Sequence, residues 1–389
     1  MASLPTATSI PPLTYLSIDS VTAGVGLSQV AQYVERLSQR GLKVTLHSFE
    51  TELDHAKMNA RFEASGVRWR PHRFGPSGPG GGLARVLYGA SLVTRAQLVH
   101  ARADMSAAAA LLGRPRAWLW DMRAFWREQR VAVGLMAAES PEARVMKAVE
   151  TRAARSSDGV VTLSQAAIDI LAERYGDQIR AKSRVIPTCV DLDLFAPAAP
   201  AESPPLRVLL AGTLNGLYDV PTMLRLVERL RQRVSTTLTV LAAGPTPWRD
   251  QFEHFGASVT AVSADRMPEQ IAAHHLGLSV VRDVGVSNAA ATPTKIGEFL
   301  ACGRPIVVNC GLGDMEQLLK RYDCGVALRG GDVAELDRAA DEIVRLFDDP
   351  TIGARCRALA TEHFNLERGV DTLLELYHAA TDGRRGRRA

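Results

Sequence analysis

Short apolar runs alternate along this chain with longer segments whose apolar residues recur every three or four positions. Residues 13–18 read as a buried strand. After Gly24 and Gly26, residues 28–40 carry Val30, Val34 and Leu37 at helical spacing, and Gly41 ends that helix. Residues 43–49 alternate as a strand and 67–74 form another. Residues 75–82 are almost all glycine and proline and read as a flexible loop. Further strand candidates lie at 98–101, 117–121, 159–163 and 184–186, with helical segments between them. This is the rhythm of a parallel, doubly wound sheet.

The rhythm restarts after a Pro- and Ala-rich linker at 195–205. A new apolar strand, 206–211, ends at Gly212-Thr213, and 221–233 is helical. Strands at 237–242, 259–262, 277–281, 306–308 and 325–328 complete a second sheet. A chain of 389 residues exceeds one ordinary core, so two domains are expected, bounded at 1–197 and 198–361. Ligands of such sheets bind beyond the carboxyl ends of the strands, where two Rossmann-like halves can face each other across a cleft. Residues 362–380, with Leu373, Leu374, Leu376 and Tyr377, read as a terminal amphipathic helix. Residues 381–389 read as a basic, disordered tail.

One short stretch carries chemistry. In Thr292-Pro293-Thr294-Lys295-Ile296-Gly297-Glu298, Thr292 is placed to cap a helix with Pro293 as its first residue. Gly303 stops the helix and Pro305 opens a strand. Lys295 then sits in the first turn, where the helix dipole disfavours a cation unless an anion binds beside it. Glu298, three residues on, shares that face and suits the hydroxyls of a ribose. Phosphate plus ribose means a nucleotide; a plain surface Lys–Glu pair is the competing reading.

Composition narrows the class. Apolar content of 46% and charged content of 23% are those of a globular protein, and no apolar run is long enough to cross a bilayer. Residues 1–12 lack the basic start and apolar core of a signal peptide. The five cysteines, Cys189, Cys302, Cys310, Cys324 and Cys356, show no metal-ligand spacing. A reducing, cytoplasmic setting is expected, with no metal. The net charge of +4 equals the contribution of Arg384, Arg385, Arg387 and Arg388. That tail could make a weak peripheral contact with anionic headgroups at the inner face of a membrane. Basic residues are not interleaved with aromatics, so no nucleic-acid partner is expected.

Several segments together resemble the retaining glycosyltransferases of family GT4, bacterial group 1, which have the GT-B fold. They are Tyr15-Leu16-Ser17-Ile18-Asp19, Gly26-Leu27-Ser28-Gln29-Val30 and Arg40-Gly41-Leu42-Lys43-Val44-Thr45-Leu46. Further on come His100-Ala101-Arg102, Asp121-Met122-Arg123-Ala124-Phe125-Trp126, Leu163-Ser164, Val185-Ile186-Pro187-Thr188-Cys189-Val190-Asp191 and the stretch Pro293 to Pro305. The resemblance implies two Rossmann-like domains facing a cleft and a C-terminal helix returning to the N-terminal domain. It also implies a nucleotide-diphosphate sugar, UDP- or GDP-linked by expectation, a hydroxyl acceptor and no required metal or other cofactor. Glycan, glycolipid and secondary-metabolite synthesis all fit.

The expected roles follow. Gly24 and Gly26 let backbone approach the diphosphate, or simply make a βα turn. Lys295 holds the phosphates and Glu298 the ribose. Thr294, Arg282, Thr213 and Asn215 are further donor-side candidates, against ordinary surface and turn roles for the last three. The resemblance places His100 beside the donor sugar, with a satisfied strand histidine as the other reading. Asp121 and Arg123 either bind acceptor hydroxyls or a phosphate group, or pair with each other. No residue stands out as a covalent nucleophile, so same-face attack is the expected route to retention.

Two departures matter. Many GT4 members carry two glutamates seven residues apart; Glu298 matches the second, but Ala290 stands at the first. Many carry Arg and Lys after the first strand of the second domain, where this chain has Gly212-Thr213-Leu214-Asn215-Gly216. A non-catalytic nucleotide-sugar-binding protein and a GT-B nucleotide-sugar epimerase therefore stand as alternatives. A dinucleotide dehydrogenase is not favoured, because no GxGxxG follows a strand.

Overall fold

The computed structural model describes residues 9–22, 24–52, 55–198, 204–242 and 244–385. They form two compact units. The first comprises Met1–Pro187, Gly285–Ala290 and Leu366–Ala389; the second comprises Thr188–Val284 and Ala291–Asn365.

The first unit is built on β1 (Leu13–Ser17), β2 (Val44–Glu50), β3 (Arg68–Arg73), β4 (Leu98–Arg102), β5 (Ala117–Asp121), β6 (Gly159–Thr162) and β7 (Ser183–Val185). They make one parallel sheet in the order β3-β2-β1-β4-β5-β6-β7. Its central strands β4, β5 and β6 are buried on both faces, as their unbroken apolar runs require, whereas the edge strand β3 alternates between buried and exposed positions. Leu16, Val99, Trp118, Trp120 and Val160 anchor one core cluster.

The second unit holds β8 (Leu206–Gly212), β9 (Thr236–Ala242), β10 (Ser258–Thr260), β11 (Leu276–Ser279), β12 (Ile306–Asn309) and β13 (Gly325–Leu328). This sheet is also parallel, in the order β10-β9-β8-β11-β12-β13. Strand alternation divides β8 between two clusters: Val208 and Leu210 pack on one face, Leu209 and Ala211 on the other.

Several expectations are corrected. The division between units falls after Pro187, not after residue 197. The segment following Pro187 is tied into the second unit: Val190 N donates to Phe364 O at 2.8 Å, and Arg357 donates to Leu192 O and Phe195 O. Gly78 to Gly82 are not loop but open the helix Gly78–Val93. Arg85 fixes that start by donating to Phe74 O and Pro76 O and stacking on Phe74 at 3.8 Å. Gly81 is needed there, since a Cβ would lie 1.9 Å from Pro76 O.

The terminal helix begins at Leu366, not 362, because the preceding helix Ile352–His363 breaks at buried Phe364. It then runs to Arg385, so residues 381–385 are helical rather than disordered. Arg387 and Arg388 lie outside the described residues. This helix packs on β5, β6 and the helix Gln32–Gln39 of the first unit. Arg40 binds Glu367 at 2.7 Å and Asp371 at 2.9 Å, while Val370, Leu373 and Tyr377 are buried beneath it.

Candidate functional site

The donor-side candidates of the second unit gather on three neighbouring segments. Gly277 and Gly297 let the helix Thr294–Ala301 sit close. A Cβ on Gly277 would lie 2.7 Å from the Phe299 ring, and one on Gly297 would meet Thr188 O and Phe364 at 3.2 Å. The helix start differs from expectation. Pro293 occupies the cap position, and Thr292 is buried with its carbonyl accepting from Thr188 Oγ1 at 2.8 Å. Among the described residues no side chain caps the helix, which leaves its first amides, at Thr294 and Lys295, open to another acceptor. Gly303, at φ +74°, ends the helix region as expected.

Lys295 Nζ donates to Glu298 Oε2 at 2.6 Å. Glu298 is buried, while about a fifth of the Lys295 side chain (21%) is exposed. Thr213 and Asn215 lie exposed on the turn after β8, where Asn215 Oδ1 accepts from Leu217 N at 3.0 Å. Arg282 is locked to the same turn, its N–H donating to Leu217 O at 2.7 Å and its guanidinium to Gly216 O at 3.4 Å. Tyr218, which the sequence reading missed, joins these pieces. It bridges to Val281, and its hydroxyl lies 3.0 Å from where a Gly212 Cβ would stand. Burial and the nearby Glu298 carboxylate push the Tyr218 phenol up.

In the first unit the glycine loop is held by a second missed residue, Glu50. Its carboxylate accepts from Val21 N at 3.1 Å and from the hydroxyls of Ser20 and Thr22. Gly24 has φ +55°, while Gly26 is demanded by packing, since a Cβ would fall 1.9 Å from Ser20 O. The helix after it contains a π-turn, Leu27–Ala31, before its α-helical part Gln32–Gln39.

The structure brings His100, Asp121 and Arg123 together. Register sets Tyr15 beside His100 on β1 and β4, and Arg102 beside Asp121 on β4 and β5. Asp121 binds Arg123 Nε at 2.8 Å, Arg102 Nη1 at 3.4 Å and His100 Nε2 at 3.1 Å. Burial would raise the Asp121 carboxyl, but Arg123, His100 and Arg102 together outweigh it and hold it well below the usual carboxylate range. Burial lowers the His100 imidazole despite Asp121, leaving it neutral at pH 7.

A carboxylate only accepts, so Nε2–H donates to Asp121 and Nδ1 accepts from Tyr377 Oη at 2.8 Å. The ring is also stacked on Tyr15 at 4.2 Å. Both ring nitrogens of His100 are thus engaged within the first unit, the arrangement of a satisfied strand histidine. The sequence reading gave no site role to Arg102, Tyr15 or Tyr377, which it met only within motifs and in the terminal helix. Two guanidinium groups here share one carboxylate, and Arg123 Nη1 is buried without a hydrogen-bond partner among the described residues.

Residues 28–194 match the family described as Glycosyltransferase Family 4. The chain is 37% identical over 93 residues to D-inositol 3-phosphate glycosyltransferase 1 of Catenulispora acidiphila. That match covers 23% of this chain and spans about a fifth (21%) of the relative. Among solved structures, sucrose-phosphate synthase from Thermosynechococcus elongatus aligns with a TM-score of 0.71 at 18% identity, covering 95% of this chain and 98% of that one. Anabaena Alr3699/HepE in complex with UDP and glucose aligns with a TM-score of 0.66 at 17% identity, covering 94% and 98%. This is the GT-B fold. Ala290 is 1% exposed and packs in the apolar cluster of the first unit with Trp120 and Phe125.

Proposed function

We propose that this protein is a retaining glycosyltransferase that moves a sugar from a nucleotide diphosphate to a hydroxyl acceptor. The observation that carries the reading is the Lys295–Glu298 pair at the uncapped start of the helix Thr294–Ala301, beside the turn that holds Arg282. A diphosphate oxygen takes Lys295 and the open amides, and Glu298 is released to accept from ribose hydroxyls. That HepE was solved with UDP-glucose supports a UDP-sugar as the donor. Arg282 supplies the further cation that the missing basic pair would otherwise provide.

The chemistry is a same-face displacement. The bond from sugar C1 to the leaving phosphate oxygen breaks as the bond to the acceptor oxygen forms, and the acceptor proton passes to that phosphate oxygen. Lys295, Arg282 and backbone amides stabilise the charge that develops on the leaving group. No step calls for a metal. On the acceptor side, the spare donor of Arg123 and the two-to-one excess of guanidinium over carboxylate favour an acceptor carrying a phosphate. The relative's name, with its inositol 3-phosphate, points the same way. His100 acts as a positioning residue for Asp121.

The burial of Ala290 and the absence of the basic pair keep the non-catalytic, nucleotide-sugar-binding reading as the second one. Thermal shift against UDP, GDP, TDP and ADP, with and without EDTA, tests the proposal on the wild type, Lys295→Ala and Glu298→Ala. One nucleotide should raise Tm regardless of EDTA, and both variants should lose the shift. No response to any nucleotide would overturn the donor site. Binding without turnover of the matching sugar donor would favour the second reading.

A further inference from the structure

A groove of about 560 Å³ lies in the first unit, along the helix Pro141–Ser156. Ser140 caps this helix, and its inner face buries Ala143, Met146, Glu150, Ala153 and Ala154. The opposite face lines the groove with Arg144, Lys147, Arg152 and Arg155, joined by Arg127; Glu139 is the acid among the lining residues. Lys147 is committed to Glu150 and Tyr175, and Arg127 to Ala138 O. Arg144, Arg152 and Arg155 are exposed and make no ion pair within 4.0 Å among the described residues. Elsewhere the exposed arginines Arg338 and Arg345 are paired with acids. Three unpaired like charges on one helical face repel one another, and that repulsion is relieved by an external anion.

A second feature decides which anion. Val145 is 62% exposed on the same outer face, three residues before Ala148 and seven before Arg152. Leu135 is 67% exposed in the turn leading into the helix, next in sequence to Met136, which is buried against Ala143 and Met146. A soluble polyanion makes no use of exposed aliphatic side chains beside its site. A bilayer surface uses both, with arginines on the headgroup phosphates and short apolar side chains entering the acyl boundary. We propose that the outer face of the helix Pro141–Ser156, with Leu135, docks this protein onto an anionic membrane surface. The proposal does not depend on the transfer reaction, and its test reads binding alone.

The test is vesicle flotation of the full chain, using phosphatidylcholine alone and phosphatidylcholine with about one-third phosphatidylglycerol. The wild type should float with the anionic vesicles only, and less so as salt rises. Arg144→Gln/Arg152→Gln/Arg155→Gln should lower that partitioning by on the order of a hundredfold. Leu135→Ser/Val145→Ser should lower it by roughly tenfold. Both variants should keep the wild-type Tm, because all five side chains are exposed. Failure of the wild type to bind anionic vesicles would overturn the proposal, as would full binding by the triple variant. Loss on Arg387→Ser/Arg388→Ser instead would move the contact to the tail. Heparin retention that depends on the three arginines, without vesicle binding, would reassign the groove to a soluble polyanion and overturn it equally.

Discussion

Asp104 offers a test of the first unit's electrostatics that needs no ligand. It sits in the first turn of the helix Ala103–Gly113, buried, with Trp120 Nε1 donating to its carboxylate at 3.3 Å. Burial, reinforced by the Glu150 carboxylate, pushes its acid from 3.8 up to about 7. The folded state then holds this proton more tightly than the unfolded chain does. Its contribution to stability is complete below about pH 4, falls as pH rises, and is gone above about pH 7.

At about 1.4 kcal/mol for each pH unit, the span from 3.8 to about 7 amounts to roughly 4 kcal/mol. That figure is an upper bound, since relaxation and water entry reduce the penalty. Asp104→Asn keeps an oxygen for the Trp120 donor and removes the titration. Urea melts followed by tryptophan emission, on both proteins between pH 4.5 and 8, check it. The difference between the two curves cancels every other titration. The variant should gain on the wild type from pH 4.5 to about 7, by roughly 3 kcal/mol at most, and the difference should level off above that. A difference that stays flat across this range would refute the reasoning.

Other perturbations follow from the same packing. Tyr377→Phe leaves His100 Nδ1 buried without its donor and should cost about 1–3 kcal/mol in urea melts. Gly26→Ala forces a methyl group to 1.9 Å from Ser20 O and should lower Tm by more than Gly24→Ala. The latter meets open space and pays only for φ +55°, about 1 kcal/mol. Cutting the chain before Glu362 removes the helix that covers β5 and β6 and should collapse the first unit's melting transition, whereas removing residues 386–389 should leave Tm unchanged. Equal loss in both truncations would contradict the packing seen for Tyr377 and Leu373.

The alternation of apolar runs and helical repeats was enough to locate the sheets, because parallel strands are buried on both faces. The apolar run of β5 was read residue for residue, and that of β13 as well. Composition misled where one long side chain decides the matter. Glycine and proline at 75–82 argue for a loop, yet Arg85, several residues on, closes that backbone into a helix. The Lys295–Glu298 pair was legible because both members lie on one helical turn. The fate of His100 was not, because its partner Tyr377 is 277 residues away and only the fold brings it near. Thr292 looked like a cap by residue type, but Thr188 fixes its carbonyl from another segment.

The return of the helix Leu366–Arg385 to the first unit also sets an order of events during synthesis. The residues up to Pro187 leave the ribosome first, yet the face of β5 and the Nδ1 of His100 wait for Tyr377. The roughly 180 residues in between take on the order of ten to forty seconds to translate. Over that interval the nascent first unit shows the apolar surface that Val370, Leu373 and Tyr377 later cover. The domain begun earliest is thus the last to be finished, and the newborn chain is most exposed to chaperone capture or aggregation while the second unit is being made.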